Sequence, residues 1–90
     1  MTEEKILEVI ELYRKFFTDN GIGKADYPSN KLLAERGLGP EHCHGMLHKM
    51  EKFIEEGRIE KTFRWLGFIQ GVLWSNRLFT LDDLKNHSKP

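Results

Sequence analysis

The sequence has little of what most enzymes and secreted proteins need. It contains one cysteine, Cys43, which cannot form an internal disulfide. It has no secretory signal pattern and no run of about eighteen apolar residues, so neither export nor a transmembrane helix is expected. We therefore expect a cytoplasmic protein that does not enter a membrane.

The chain also lacks net charge. Its 14 basic and 14 acidic side chains cancel, so no overall field attracts nucleic acid or an anionic membrane. Hydrophobic residues make up 39% of the chain and charged residues 31%, which is typical of a folded protein. At 90 residues the chain can close only one core, which predicts a single domain over residues 1–90.

No alternating strand pattern is present, and helical spacing predicts an all-α fold. The first helix is expected over about 2–19, with Thr2 as its cap. Two further helices, about 40–56 and 58–75, are expected to form an antiparallel hairpin around Gly57. Two short helices complete the predicted bundle, one from Ser29 or Asn30 to Arg36 and one after Thr80.

Three glycines fall inside the predicted hairpin. In an antiparallel register, Gly45 lies at a height between Gly67 and Gly71. Each glycine costs about 1 kcal/mol of helix propensity relative to alanine. A close approach of the two backbones at this height would explain their presence, and the sequence predicts one.

The residues needed for catalysis are not arranged for it. There is no serine in a nucleophile elbow and no glycine-rich phosphate loop. Cys43 has histidines beside it in sequence, but neighbours on a helix point about 100° apart, so a buried structural thiol is the better interpretation. We predict that the protein is not an enzyme and has no cofactor.

Three histidines, His42, His44 and His48, lie on one predicted helix. His44 and His48 share a face, as metal ligands on a helix often do. A zinc site needs three or four ligands, however, and no glutamate stands between this pair as in zinc proteases. Solvated or partner-facing histidines are therefore favoured over a metal site.

The segment from Phe63 to Trp74 carries apolar residues most of the way around its helix. One side must pack on the preceding helix, and the other is either covered by Phe16 and Phe17 of the first helix or left exposed. Exposed aromatic side chains are favoured anchors of protein interfaces. This predicts binding of a protein partner, which could be a second copy, through Trp65, Phe68, Ile69, Val72 and Trp74.

The alternative is a nucleic-acid-binding protein. Residues 29–59 resemble the helix-turn-helix part of winged-helix repressors, which place their second helix in the major groove. The segment after Gly57 is predicted to be helical, whereas those repressors have a two-stranded wing there. Phosphate or base contacts would come from His44, Lys49, Lys52, Arg58, Lys61 and Arg64. Glutamates are interleaved with the lysines and arginines of this set, however, so an ion-paired, solvated face is favoured over phosphate contact.

A second resemblance concerns the C-terminal part of the chain. Residues 63–74 and 79–87 are similar to the corresponding part of small uncharacterised proteins encoded by bacteriophages and prophages. No activity is established for that group. The resemblance implies a phage setting and host cytoplasm, where small proteins often bind and modulate a host enzyme or defence complex.

Overall fold

The computed structural model describes all residues from Met1 to Pro90 and is entirely helical. Its four helices are α1 (Glu3–Asp19), α2 (Gly39–Glu55), α3 (Ile59–Ser75) and α4 (Leu81–His87). The all-α prediction is confirmed, with helix limits close to those expected. No helix combines the length and the apolar character needed to cross a bilayer.

Helix α1 begins as its sequence predicts. The Thr2 hydroxyl accepts a hydrogen bond from the Lys5 backbone N–H at 3.1 Å. Glu3 and Glu4 follow in the first turn, where the positive end of the helix dipole favours carboxylates. One row of α1 is fully buried, and it consists of Ile6, Val9, Ile10, Tyr13 and Phe17.

Helices α2 and α3 form the predicted hairpin, and Gly57 makes the turn. Its φ is +75°, a left-handed conformation that glycine adopts without steric cost. The Arg58 N–H donates to the Phe53 carbonyl at 2.8 Å and the Gly57 N–H to the Ile54 carbonyl at 3.0 Å, which is a Schellman motif. The motif satisfies the last carbonyls of α2 and turns the chain sharply into α3.

The core lies where α1 and α3 pack against α2. Helix α3 contributes only Leu66, Ile69 and Leu73 to the apolar core, together with the buried Thr62. The complete apolar core is Ile6, Val9, Ile10, Tyr13, Phe17, Cys43, Met46, Leu47, Met50, Leu66, Ile69, Leu73 and Leu84.

The short helix predicted from residue 29 to Arg36 is wrong, because these residues form turns and bends. Residues 29 to 37 are all exposed, and Leu32 is 97% exposed. A short helix is marginal in water unless an apolar face packs on something, and here no face does. The segment is instead anchored upstream, where the Ala25 N–H donates to the Glu41 carbonyl at 3.0 Å.

The predicted meeting of three glycines is also wrong. A Cβ on Gly45 would lie 2.3 Å from the Ala25 carbonyl oxygen, so Gly45 faces the segment before α2 and not α3. Cβ atoms on Gly67 and Gly71 would meet nothing within 4 Å. The hairpin closes through the row of Thr62, Leu66, Ile69 and Leu73, which turns the two α3 glycines outward.

This geometry predicts opposite effects of two glycine substitutions. Gly45→Ala should lower the free energy of unfolding by about 1–3 kcal/mol, because the added methyl group overlaps a backbone oxygen. Gly67→Ala should raise it by about 0.5–1 kcal/mol, because the methyl group meets open space and alanine favours helix. Urea denaturation of dilute protein measures both. Equal destabilisation by the two substitutions would contradict the observed facing of the hairpin.

Helix α4 is held by a capping box and a polar network. The Thr80 hydroxyl accepts from the Asp83 N–H and the Asp83 carboxylate accepts from the Thr80 N–H, and this pair of bonds begins the short helix predicted after Thr80. Gln70 Nε2 donates to Tyr13 Oη and to Ser88 Oγ, both at 3.1 Å. Tyr13 Oη lies 3.0 Å from His87 Nδ1. Since Gln70 donates to the tyrosine oxygen, the hydroxyl proton is free to be donated to an unprotonated Nδ1.

This network predicts that docking of α4 weakens in acid. Burial lowers the pKa of His87 below its ordinary value of 6.5, while Asp83 opposes this shift and Lys5 adds to it. The unfolded chain therefore binds the proton more readily than the folded chain. The contribution of His87 to stability is present above pH 6.5 and is lost as the pH falls through the lower pKa of the folded state.

Thermal denaturation between about pH 8 and about pH 5 tests this prediction. The wild type should lose more stability over that range than His87→Gln, which keeps a hydrogen-bond acceptor but does not titrate. Asp83, whose pKa is lowered by its hydrogen bonds to Thr80, stays ionised throughout. Parallel pH profiles of the two proteins would show that His87 has no such role.

Candidate protein-binding surface

An apolar groove of about 420 Å³ lies between residues 26–33 and helix α3. Trp65, Phe68 and Val72, which occupy one side of α3, line it. Leu33 lines it from the opposite segment and is 43% exposed. These are the side chains that a docked apolar group would touch.

Trp65 is fixed in this groove by its neighbours. Its ring meets Phe53 of α2 edge-on, with centroids 4.8 Å apart. The Lys61 ammonium lies 4.5 Å from the centroid of Phe53 and 5.8 Å from that of Trp65. An aromatic ring held in this way loses little side-chain entropy when a partner packs on it, which favours binding.

The rim of the groove is polar, and its side chains form hydrogen bonds and an ion pair within the chain. Lys49 pairs with Asp26 at 3.3 Å. The Tyr27 hydroxyl donates to Glu41 at 2.9 Å, a bond that raises the Tyr27 pKa, and the Tyr27 N–H donates to His42 Nδ1 at 3.1 Å. An apolar centre within a polar rim is the common arrangement of protein interfaces.

Three rings of α3 are exposed, namely Phe68 of the groove and two rings beyond it, Phe63 and Trp74. Phe63 is 37% exposed, Phe68 56% and Trp74 52%. The first helix does not cover them, because Phe17 stacks on His44 and Phe16 packs on Phe79. The alternative in which α1 covers this side of the helix is therefore wrong.

The predicted contact residues divide into three groups. Phe68 and Trp74 are exposed, whereas Trp65 and Val72 are partly buried in the groove. Ile69 is fully buried in the core, so its inclusion in a contact surface is wrong. It belongs to the helix row that packs inward, one turn after Leu66.

Two residues of the groove, Tyr27 and Leu33, were not predicted from the sequence. Tyr27 falls in a stretch with the composition of a loop, and Leu33 falls in the short helix that does not form. The only sequence signal was the presence of apolar side chains in a segment with no partner row. Leu81, which is 52% exposed and borders the same hollows as Trp74, was also missed.

The predicted nucleic-acid contacts are only partly brought together. Arg58 and Lys61 both lie over the Phe53 ring, and Lys49 is paired with Asp26. Lys52, Lys61 and Arg64 form no ion pair within 4.0 Å. Arg58, Lys61 and Arg64 border one shallow hollow beside Gly57, whereas Lys49 lines the groove and His44 is buried.

The helix-turn-helix interpretation does not hold. Its first helix is absent, and α3 stands where a wing would begin. His44, proposed as a base contact, is 6% exposed and stacks on Phe17. Its Nδ1 lies 2.7 Å from the Ile22 carbonyl, to which it must donate, and its Nε2 is buried without a hydrogen-bond partner. The prediction of a solvated or partner-facing His44 is therefore wrong as well.

The residues considered for catalysis or metal binding are separated. His42 bonds to the Tyr27 backbone, His44 is in the interior and His48 is exposed. No three His, Cys, Asp or Glu side chains are grouped as metal ligands. Cys43 is fully buried, as predicted, and burial raises the pKa of its thiol to about 12, so it is not a reactive nucleophile.

Comparison of the chain with protein-family models, with curated proteins and with solved structures finds no match. The resemblance of residues 63–74 and 79–87 to phage-encoded proteins therefore stays a prediction.

Proposed function

We propose that the protein acts by binding another protein, with an apolar side chain of the partner seated in the groove between residues 26–33 and α3. The observation that carries this proposal is the groove itself, in which three large α3 side chains remain accessible beside a satisfied polar rim. The proposed setting is a phage-type protein that modulates a host enzyme or defence complex.

The floor of the groove supports this role because it is already assembled. Trp65 is held by Phe53 and Lys61, so a partner need not order it. The ion pair between Asp26 and Lys49 and the bond between Tyr27 and Glu41 keep the rim in place. Preorganised aromatic residues surrounded by weaker peripheral contacts are typical of interface hot spots.

Adjacent leucines provide a matched test. Leu33 lines the groove, whereas Leu32 is 97% exposed and does not. Immobilised protein should capture a specific partner from a bacterial lysate. Leu33→Lys should reduce that capture at least about tenfold, the loss expected when an anchor contact worth about 1.4 kcal/mol or more is removed. Leu32→Lys should leave it unchanged.

Equal loss with both variants would place binding on the exposed segment and not in the groove. Capture that neither variant affects, or no specific capture, would also count against the proposal. Circular dichroism checks that each variant remains helical.

A second candidate function is binding of nucleic acid at the end of the hairpin near Gly57. It is favoured by Lys52, Lys61 and Arg64, which have no carboxylate partner. Lys52, Lys61 and Arg64 could contact phosphates without reading sequence. Glu60 lies in the same shallow hollow as Lys61 and Arg64 and reduces the local positive charge.

An electrophoretic mobility shift with random-sequence duplex DNA tests this candidate. Retardation should be strongest at low salt and should disappear in the double variant Lys61→Glu, Arg64→Glu, because phosphate binding depends on released counterions. The absence of retardation at the lowest salt would eliminate nucleic-acid binding through these residues.

A further inference from the structure

The outward row of α3 is a second surface, which borders the groove at Phe68. It runs through Glu60, Arg64, Gly67 and Gly71, and all four residues are exposed. Phe68 flanks the glycines on the side of the groove, and Phe63 and Trp74 flank them on the other side. The two glycines leave the helix backbone open between these rings, since nothing lies within 4 Å of a Cβ at either position.

We propose that a second copy of this chain packs against this row, with the two α3 helices antiparallel and related by a two-fold axis. The inference rests on the proposed function in assigning protein association to α3, but it names a different surface and a different partner. The proposal is supported by the match between this row and a second, antiparallel copy of itself, in which aromatic rings meet aromatic rings and opposite charges come to the same height.

The rings match across such an axis. When the axis passes midway between Gly67 and Gly71, Phe68 lies within one residue of the midpoint, so the two Phe68 rings come side by side. Trp74 and Phe63 lie at nearly equal distances on opposite sides of the midpoint. Trp74 of each copy therefore meets Phe63 of the other. All three exposed rings of α3 gain an apolar neighbour, as an isologous contact requires.

The charges favour the antiparallel arrangement. A parallel pair would place Arg64 beside Arg64 and Glu60 beside Glu60, and like charges in contact are costly. The antiparallel pair places Arg64 near Trp74 of the second copy, where a cation–π contact can form. It also brings Glu60 to the height of Arg77 of the second copy, and neither residue has an ion-pair partner in its own chain.

The backbone conformation of Arg77 also supports a contact between its side chain and Glu60 of the second copy. Arg77 occupies the left-handed position of the Schellman motif that ends α3, with φ of +61°. Its N–H donates to the Trp74 carbonyl and the Leu78 N–H donates to the Leu73 carbonyl. Glycine occupies the same position after α1 and α2, where it avoids the strain of a side chain. Under the proposed pairing, a contact of its guanidinium with Glu60 of the second copy would offset that strain.

Sedimentation equilibrium over a series of protein concentrations tests the proposal. The wild type should associate to a dimer and no further, because an isologous contact closes at two copies. Phe68→Lys and Trp74→Lys should each weaken the dimer at least about tenfold, as expected when a large aromatic contact of an interface is lost. Leu7→Lys, at a similarly accessible apolar position on α1, should leave the dimer unchanged.

A charge exchange tests the orientation. Glu60→Lys should weaken the dimer, and addition of Arg77→Glu should restore it, because the exchanged pair is again of opposite sign. Both positions are exposed, so the monomer should stay folded, which circular dichroism checks. A wild type that remains monomeric at the highest concentration would overturn the proposal. So would larger assemblies, or a dimer indifferent to Phe68→Lys and Trp74→Lys.

The two proposals fail separately. Leu33→Lys affects the groove and should leave the dimer intact, whereas Trp74→Lys affects the dimer and should not abolish capture, because Trp74 does not line the groove. A monomer with Leu33-dependent capture would refute the dimer alone. A dimer without such capture would refute only the binding of another protein in the groove.

Discussion

The structure depends on the way α3 packs through a single row. Thr62, Leu66, Ile69 and Leu73 close the hairpin against α2, and the Schellman motif at Gly57 sets the direction in which α3 returns. With only three long helices, α1 packs on α2 and cannot also cover the far side of α3. The apolar side chains on that far side therefore have no intramolecular partner, and both proposed surfaces follow from this shortage.

The segment between α1 and α2 turns part of this uncovered side into a defined groove. It can lie close to α2 because Gly45 has no side chain where the Ala25 carbonyl sits. The hydrogen bonds of Ala25 and Tyr27 to Glu41 and His42 then fix its course. The segment thus forms one side of the groove in a non-helical conformation. Its leucines remain exposed because only one side of the segment packs against the helices.

The helices could be predicted from the sequence because each signal was local. Thr2, Gly57 and Thr80 act on their own backbone neighbours, so the limits of α1, the hairpin turn and the capping box of α4 follow from spacing alone. The facing of Gly45 and the burial of Ile69 and His44 could not be predicted in this way. They depend on which face of α3 packs into the core and on the path of the loop before α2. Both are set by tertiary packing, because the faces of α3 are similarly apolar.

The candidate surface shows the same division. Phe68 and Trp74 were predicted because a helix with apolar residues nearly all round must expose some of them in so small a chain. Tyr27 and Leu33 were missed because their role comes from the path of a loop. Of the basic residues, only Arg58, Lys61 and Arg64 share one hollow, and cation–π contacts of Arg58 and Lys61 and the ion pair of Lys49 with Asp26 could not be predicted from spacing.

The groove and the outward row of α3 meet at Phe68, so the proposed dimer fixes how its two grooves are placed relative to each other. A two-fold axis perpendicular to antiparallel helices keeps each flank of α3 on its own side. Under the proposed pairing, the two grooves therefore open on the same side of the dimer, next to the paired Phe68 rings.

A partner that is itself symmetric, or that carries two apolar anchors, would then engage both grooves at once. Linked binding of this kind strengthens association well beyond what one small groove supplies, because the second contact forms at high effective concentration. Self-association and partner binding would thus reinforce each other without sharing the groove floor of Trp65 and Val72.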